Sequence, residues 1–229
     1  MENYPETATE RFDDANFHIN YCLSTVKKYI SGNILEVGAG CGSFTRNYIN
    51  TDIKKITLTE LDSLNIENLK KKFEKNNRIE ITNLPVSKID DKFDCILYFH
   101  VLEHIKNDLE ELNSAKLKLK KDGYILIMAP AHQKMYGNLD KAVGHFRRYE
   151  KDFFKKNLIE LEQKKLFFLD SMGYILYYLN RLFFRKETFP SKIKIFIWDK
   201  IFTPISILLD FILRYRFGKC IVAVYKKNY

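Results

Sequence analysis

The stretch Asn33-Ile34-Leu35-Glu36-Val37-Gly38-Ala39-Gly40-Cys41-Gly42-Ser43-Phe44 constrains the fold more than any other part of the chain. It reads as a short buried strand that runs into three alternate glycines at the start of a helix. Such a turn lets a ligand approach the backbone closely, because no Cβ stands in the way. A dinucleotide fingerprint is spaced G-x-G-x-x-G and leaves helix N–H groups free to hold a pyrophosphate. Here the third glycine comes one residue early, and Glu36 sits where it would repel a phosphate. A carboxylate in that place suits a cationic amino group. The pattern asks for a ligand that is nucleoside-like at one end and positively charged at the other.

The sequence after this turn supports the same reading. Lys54-Lys55-Ile56-Thr57-Leu58-Thr59-Glu60 reads as a second strand ending in an acid. A Rossmann-type sheet sets a ribose-binding carboxylate about twenty residues after the glycine loop. A nicotinamide site would carry the same acid, so Glu60 alone does not discriminate. Phe93-Asp94-Cys95-Ile96-Leu97-Tyr98-Phe99-His100 is a strong apolar strand running into Val101-Leu102-Glu103-His104. Between and beyond these pieces the pattern alternates. Strands are expected at 33–38, 54–60, 78–83, 93–100, 123–130, 164–170 and 219–225. Helices are expected at 13–30, 43–50, 62–75, 106–121 and 150–161, with a weak turn near 86–91 and an irregular stretch over 1–12. Alternation at this pitch means βαβ units and a parallel sheet.

These residues resemble the class I S-adenosylmethionine-dependent methyltransferases. The matching pieces are Glu36-Val37-Gly38-Ala39-Gly40-Cys41-Gly42, Glu60-Leu61-Asp62, Phe93-Asp94 with Val101-Leu102-Glu103-His104, and Leu119-Lys120-Lys121-Asp122-Gly123-Tyr124. The resemblance implies an α/β, Rossmann-like fold: a mostly parallel seven-stranded sheet with an antiparallel last strand and a helical insertion before it. It also implies S-adenosyl-L-methionine as cofactor and S-adenosyl-L-homocysteine as product. Glu36 would then meet the methionine amino group, with Gly38, Ala39, Gly40 and Gly42 as the floor. Glu60 would hold the ribose hydroxyls and Leu61 would flank the adenine. Many members place an acid after the third strand; here Asn83 or the backbone of Leu84 stands in for it. His100 and Val101 would lie beside the sulfonium.

With 229 residues the chain is long enough for one domain over 1–229 with a sizeable core. Residues 1–30 are expected as a helical cap and 171–218 as a helical insertion. Hydrophobic content of 46% with 29% charged residues argues against disorder. No basic stretch followed by an apolar run opens the chain, so no signal peptide is expected. Cys22, Cys41, Cys95 and Cys220 are scattered, and the last two lie in apolar strands. That pattern reads as buried thiols in a reducing cytoplasm, and a zinc site would need tighter clustering.

The acceptor side centres on a loop over 131–149. It holds His132, Tyr136, Asp140 and then Gly144-His145-Phe146-Arg147-Arg148-Tyr149. This stretch resembles a bacterial methyltransferase subgroup with a Gly-His-x-Arg-Arg-Tyr loop, whose relatives lie beside glycosyltransferase and natural-product pathways. Imidazole and phenol groups of His132, Tyr136, His145 and Tyr149 are the candidate catalytic set, with His145 the preferred base. Arg147 and Arg148 would bind an anionic acceptor or neutralise Asp140. In the alternative reading, Asp140, Arg147 and Tyr149 lock the loop against the sheet. His18 and Tyr21, on the leading helix, are candidates for the substrate entrance. His104 reads as a capping or packing residue. No arrangement in the sequence argues for a catalytic metal, and no Asn/Asp-Pro-Pro-Tyr signature points to a nucleobase acceptor.

Charge and aromatic content are uneven. The net charge is +9, and residues 166–229 carry 11 Lys/Arg against 4 Asp/Glu, a net of +7, together with 16 of the 33 aromatic residues. Lys194, Asp199, Lys200 and Asp210 interrupt the apolar run 193–213, so it does not read as a spanning helix. Two readings remain: a helical lid over the sheet edge, which the pattern favours, or an element lying on an anionic bilayer surface. Bulky aliphatics among the basic residues disfavour a nucleic-acid groove. The expected activity is metal-free methyl transfer to a small apolar or sugar/lipid-linked acceptor, with oxygen first and carbon or nitrogen open. The protein is expected in the cytoplasm, with peripheral contact at the inner membrane face as the second reading. The competing functions are a non-catalytic module that binds a membrane or partner, a nicotinamide oxidoreductase and an RNA methyltransferase.

Overall fold

The structure is a computed structural model that describes residues 15–49, 52–183 and 191–229. The expected irregular segment over 1–12, residues 13–14 and 50 of two expected helices, and residues 184–190 of the expected insertion lie outside the described residues.

Strands form where apolar residues run without alternation. Ile34-Leu35 and Cys95-Ile96-Leu97-Tyr98 are fully buried, as central strands covered on both faces must be. They belong to β1 (Gly32–Val37) and β4 (Phe93–Phe99). With β2 (Ile53–Thr59), β3 (Ile79–Thr82), β5 (Leu119–Pro130), β6 (Glu162–Leu169) and β7 (Cys220–Lys226) they make one seven-stranded sheet of order β3-β2-β1-β4-β5-β7-β6. The first five strands pair in parallel. β7 enters antiparallel between β5 and β6. The mostly parallel sheet with an antiparallel last strand is thus the expected one.

Helices cover both faces. On one, Ile19 and Leu23 of α1 (Asn16–Ser24) join Ile34, Leu58, Leu97 and Val222 of the sheet. α2 (Thr45–Tyr48) and α3 (Ser63–Phe73) add Tyr48, Leu69 and Phe73 to the same layer. On the other face, α4 (Asp108–Lys118) contributes Leu112 and Ala115 against Leu35, Ile96 and Ile127. Burying each large aliphatic or aromatic side chain contributes about 1.5–3 kcal/mol, and the two layers cover both faces of the sheet.

Several boundaries differ from the sequence reading for local reasons. The leading helix stops at Ser24, where Ser24 Oγ and Thr25 Oγ1 bond back to the carbonyls of Tyr21 and Cys22 at 2.6 and 2.7 Å. Such side-chain bonds compete with helix continuation, and a single tight turn over Lys27–Tyr29 follows. The helix expected to reach 121 ends at Lys118, because Leu119 already pairs with Phe93 in the sheet. The segment 131–149 is not a plain loop. It contains a tight turn over Gln133–Met135 and α5 (Asn138–Ala142), and an Ala131–Tyr149 bridge ties its ends. α6 (Lys151–Asn157) then leads into β6.

Between β6 and β7 lie α7 (Ser171–Phe183), α8 (Lys192–Ile197), a wide turn over Trp198–Phe202 and α9 (Thr203–Ile212). Buried acids fasten these helices. Asp210 accepts the hydroxyl of Tyr21 at 2.6 Å and the backbone N–H groups of Asp170 and Ser171 at 2.8 and 2.9 Å. Asp199 Oδ1 accepts the N–H of His18 at 2.8 Å. The outer side is apolar: Phe196, Leu208, Phe211 and Ile212 are all exposed. Among the described residues no helix is long and apolar enough to cross a membrane.

Candidate active site

The strand order reverses between β1 and β4, and open α/β sheets leave a crevice at the carboxyl ends of such a pair. A cavity of about 320 Å³ occupies that place, with Glu36, Gly40, Phe99, His100, Glu103 and His145 among its walls.

The wall after β1 is made mostly by backbone. Gly40 has φ of 53°, and a Cβ there would meet no heavy atom of the described residues within 4 Å. Gly42 has φ of 74° for a different reason, since a Cβ there would lie 2.7 Å from the ring of Phe73. The first glycine leaves room for a ligand; the second lets the loop pack on α3. Val101 plays the reciprocal part at Gly38, where a Cβ would come within 2.7 Å of it.

Glu36, one residue before the end of β1, is almost fully buried. Thr45 Oγ1 and Tyr48 Oη donate to its Oε2 at 2.6 and 2.5 Å. Burial pushes its carboxyl up to about 7, against the pull of those two hydrogen bonds. A cation arriving in the cavity would favour the ionised form. Glu60, just past β2, accepts the N–H of Gly40 at 2.8 Å on Oε2 and those of Leu61 and Asp62 at 2.7 and 3.0 Å on Oε1. It thereby joins the glycine loop to the next strand end. Leu61, Asn83 and Leu84 are exposed along the same rim, outside the cavity lining.

The opposite wall is made by side chains. His100 follows β4 with φ of 57° and donates its N–H to Met128 O at 2.8 Å. Glu103 is completely buried, and neither carboxylate oxygen has a hydrogen-bond partner among the described residues. His100 Nδ1 and His145 Nε2 stand 3.7 and 3.8 Å from its Oε1. Burial works against ionisation of Glu103, yet the surrounding imidazoles of His100, His104 and His145 outweigh it and hold the carboxyl below its usual range. The rings of His104 and His145 meet edge to face at 4.5 Å. Burial lowers His104 to about 4.

His145 is oriented from behind. Its Nδ1 lies 2.8 Å from Asp140 Oδ1, which also accepts Arg148 Nε at 2.8 Å. Asp140 Oδ2 accepts Arg148 Nη2 and the N–H of Gly137 at 3.0 and 2.9 Å. Despite burial, these donors hold Asp140 down at about 2.

The structure separates the predicted loop residues into two groups. His145 and Arg148 line the cavity. The hydroxyl of Tyr149 instead donates within 3.0 Å of Leu102 O and 2.8 Å of Asp108, while Arg147 pairs with Asp108 at 2.6 Å. Tyr136 donates to His145 O at 2.7 Å. His132 sits between Phe168 and Tyr174, with Glu150 at 3.4 Å. Tyr136 thus ties the segment to itself, while His132, Arg147 and Tyr149 make their contacts outside it. His18 lines the cavity, its ring 4.2 Å from that of Trp198. Tyr21 faces a separate hollow between α1, β6 and α9.

Sequence reasoning passed over Glu103 as a site residue, and with it the cluster. One ligand-type atom each from Glu103, His104 and His145 lies within 4.8 Å of the others. The only signal was the acid–imidazole pair directly after β4. Nothing in the spacing announces that His145, on another segment, closes on it. Trp198 and Lys219 also line the cavity from the insertion and the start of the last strand.

Comparison with known proteins agrees with this architecture. The chain matches a family described as a methyltransferase domain over residues 16–162. It is 26% identical over 133 residues to a ribosomal protein L11 methyltransferase of Staphylococcus saprophyticus, covering 56% of this chain and only 40% of that relative's length. Among solved structures it is similar to the N-methyltransferase NodS of Bradyrhizobium japonicum WM9 in complex with S-adenosyl-L-homocysteine. That match has a TM-score of 0.62 at 13% identity and covers 96% of this chain and 91% of that one. An S-adenosylmethionine-dependent methyltransferase of Clostridium acetobutylicum aligns with a TM-score of 0.57 at 14% identity, over 99% of this chain and 93% of that one. The structural likenesses are of fold, whereas the family match spans more than half of the residues; the chain belongs to the methyltransferase-domain family.

Proposed function

We propose that this protein transfers a methyl group from S-adenosyl-L-methionine to an oxygen of a small apolar or sugar/lipid-linked acceptor and releases S-adenosyl-L-homocysteine. The observation that carries the reading is the buried Glu36 carboxylate on the cavity wall beside the open side of Gly40. A buried carboxylate next to exposed backbone suits an ammonium-bearing nucleoside and repels a pyrophosphate, which counts against the nicotinamide alternative. Glu36 would hold the amino group through Oε1, since both of its internal bonds fall on Oε2. Glu60, already fastened to Gly40, would meet the ribose hydroxyls, with Leu61, Asn83 and Leu84 along the adenine. When bound, the sulfonium supplies a methyl group on a leaving group that is already activated.

The protein's own task is then to position the acceptor, exclude water and take a proton. His145 is the candidate base that faces the cavity, and Asp140 fixes its Nδ1 as the donor so that Nε2 is the proton acceptor. Arg148 holds Asp140 and narrows the same wall. The sequence Gly144-His145-Phe146-Arg147-Arg148-Tyr149 supports a likeness to the Gly-His-x-Arg-Arg-Tyr subgroup, for which this orienting role offers a physical purpose. A non-catalytic module is disfavoured because Glu36 and Gly40 both line the cavity, with Glu60 bracing the loop behind them.

A second reading concerns where the acceptor comes from. Phe196, Leu208, Phe211 and Ile212 are exposed on the outer side of the insertion, near Lys192, Lys194, Arg214 and Arg216 in sequence. That combination suits peripheral contact with an anionic bilayer and a lipid-linked acceptor. Co-flotation with anionic vesicles tests it. The main reading is tested by calorimetry with S-adenosyl-L-methionine, S-adenosyl-L-homocysteine and NADH. Binding of the first two without the third is expected; tight NADH binding alone would overturn it.

A further inference from the structure

We propose that Glu103, His104 and His145 form a binding site for a divalent transition-metal cation at the acceptor end of the cavity. The methyl-transfer reading enters only in the role assigned to the bound cation, not in its binding.

Glu103 offers the first ligand. The imidazole of His100 stands 3.7 Å from its Oε1, a charge partner but not a hydrogen bond. Glu103 is fully buried, neither of its oxygens has a hydrogen-bond partner among the described residues, and it lines the cavity. An ionised carboxylate in that position is costly unless a cation compensates it. The group facing it is the wrong kind to help as a neutral ring. Asp140, itself held by Arg148 and Gly137, accepts the Nδ1–H of His145. The remaining nitrogen, Nε2, then presents a lone pair to Glu103 Oε1 at 3.8 Å. Two acceptors face each other at a distance too long for a hydrogen bond. A cation between them resolves the opposition.

The spacing suits a metal. Two ligand atoms on one tetrahedral ion, each about 2.1 Å from it, stand about 3.4 Å apart. The pair here is slightly wider, and the full set of three lies within 4.8 Å. Small side-chain rotations close that difference. The outer arrangement is also one found around metal-bound imidazoles, which commonly give their second N–H to a carboxylate or a backbone carbonyl. His145 gives its own to Asp140, and the ring of His104 is hydrogen-bonded to the Gly144 backbone. Two imidazoles and one carboxylate select a borderline cation such as zinc, cobalt, nickel or ferrous iron over magnesium or calcium, which prefer oxygen ligands throughout. Three protein ligands leave coordination positions open toward the cavity. With the cation in place, His145 Nε2 is a ligand. An acceptor hydroxyl that enters an open position then loses its O–H proton to water as its pKa falls. The imidazole serves as base only in the metal-free protein.

The test uses the full chain without an affinity tag, stripped with a chelator and dialysed. Calorimetric titration with Co²⁺ and Zn²⁺, with visible absorption recorded for Co²⁺, should give one equivalent per chain and Co²⁺ bands of mixed nitrogen and oxygen ligation. Glu103→Gln and His145→Gln should each weaken binding by about tenfold or more. Circular dichroism of the stripped variants checks folding, and His104→Gln replaces any variant that does not fold. S-adenosyl-L-homocysteine binding is measured on the same stripped samples to keep the two readings apart. Product binding without stoichiometric cation binding overturns the metal site and leaves methyl transfer standing. Cation binding that survives Glu103→Gln and His145→Gln also overturns it. One equivalent of cation lost in both variants supports it, whether or not the product binds.

Discussion

The two walls of the cavity are built by different means. The wall after β1 uses backbone: glycines with positive φ, strand ends, and a carboxylate at Glu60 that gathers three N–H groups within 3.0 Å. The wall after β4 uses side chains: a buried Arg148–Asp140 pair, His145 in front of it, and Glu103 facing His145. A backbone wall is generic and can hold one invariant ligand. A side-chain wall is particular to its chain, and under the proposed function acceptor choice would belong there. The contrast predicts that damage to the second wall should first cost folding, whereas damage to the first should first cost binding.

The largest expected effect falls on the side-chain wall. Asp140→Ala leaves Arg148 buried without its partner and releases His145. Removing one member of a buried ion pair costs about 3–5 kcal/mol, read as a lower urea midpoint at unchanged slope. A loss under about 1 kcal/mol would mean that the wall is held by the sheet alone, and the contrast would fail.

Within the backbone wall, two glycines separate the effects further. Gly42→Ala adds left-handed strain of about 1–2 kcal/mol to overpacking against Phe73 and Leu69 of about 1–3 kcal/mol. Gly40→Ala carries the strain alone, because its Cβ points into open space. Thermal unfolding should therefore rank Gly42→Ala as the less stable variant, while calorimetry should rank Gly40→Ala as the worse at holding S-adenosyl-L-homocysteine relative to its stability. The reverse ranking would show that the ligand does not lie over Gly40.

Glu36 sharpens the comparison through pH. Its folded pKa of about 7 lies above the ordinary value of 4.5 because burial penalises the charge. The folded protein therefore binds this proton more tightly than the unfolded chain does. The stability it contributes is full below pH 4.5 and is lost as pH rises from 4.5 to about 7. Ligand binding should run the opposite way. A cationic amino group needs the ionised form, so affinity for S-adenosyl-L-homocysteine should climb toward pH 7 and level off above it, with a proton released on binding below pH 7. Calorimetry in buffers of different ionisation enthalpy measures that proton. Glu36→Gln should abolish the pH dependence and weaken binding by about 1.5–3 kcal/mol, with the free protein no less stable at pH 8. A pH-independent wild-type affinity would take Glu36 out of contact with the ligand.

The same division decides what the sequence discloses. The glycine turn, the strand ends and Glu60 are local features, and their placement around one crevice follows from the strand–helix alternation. The acceptor wall depends on contacts between separate segments. His145 meets Glu103 across 42 positions, and the lone acid–imidazole pair after β4 does not reveal a third member. Tyr149 and Arg147 have the same reactive groups as a catalytic residue, yet both turn to Asp108, a partner that only the fold brings near. The leading helix ends early because hydroxyls at Ser24 and Thr25 bond backward, an effect that apolar spacing does not register.

Tyr21 provides the finest test, with the smallest expected change. Sequence spacing puts it beside His18 at the substrate entrance, but its hydroxyl runs to Asp210, and it lines the separate hollow near β6. Asp210 keeps the N–H groups of Asp170 and Ser171 when that hydroxyl is removed. Tyr21→Phe should therefore cost only about 1 kcal/mol of stability, the net worth of one hydrogen bond, and should leave the KM for the acceptor unchanged. A raised KM at unaltered stability would return Tyr21 to the entrance and make α1 part of the acceptor wall. An unchanged KM would make α1 a strut that anchors the insertion, leaving His18 as its contribution to the cavity.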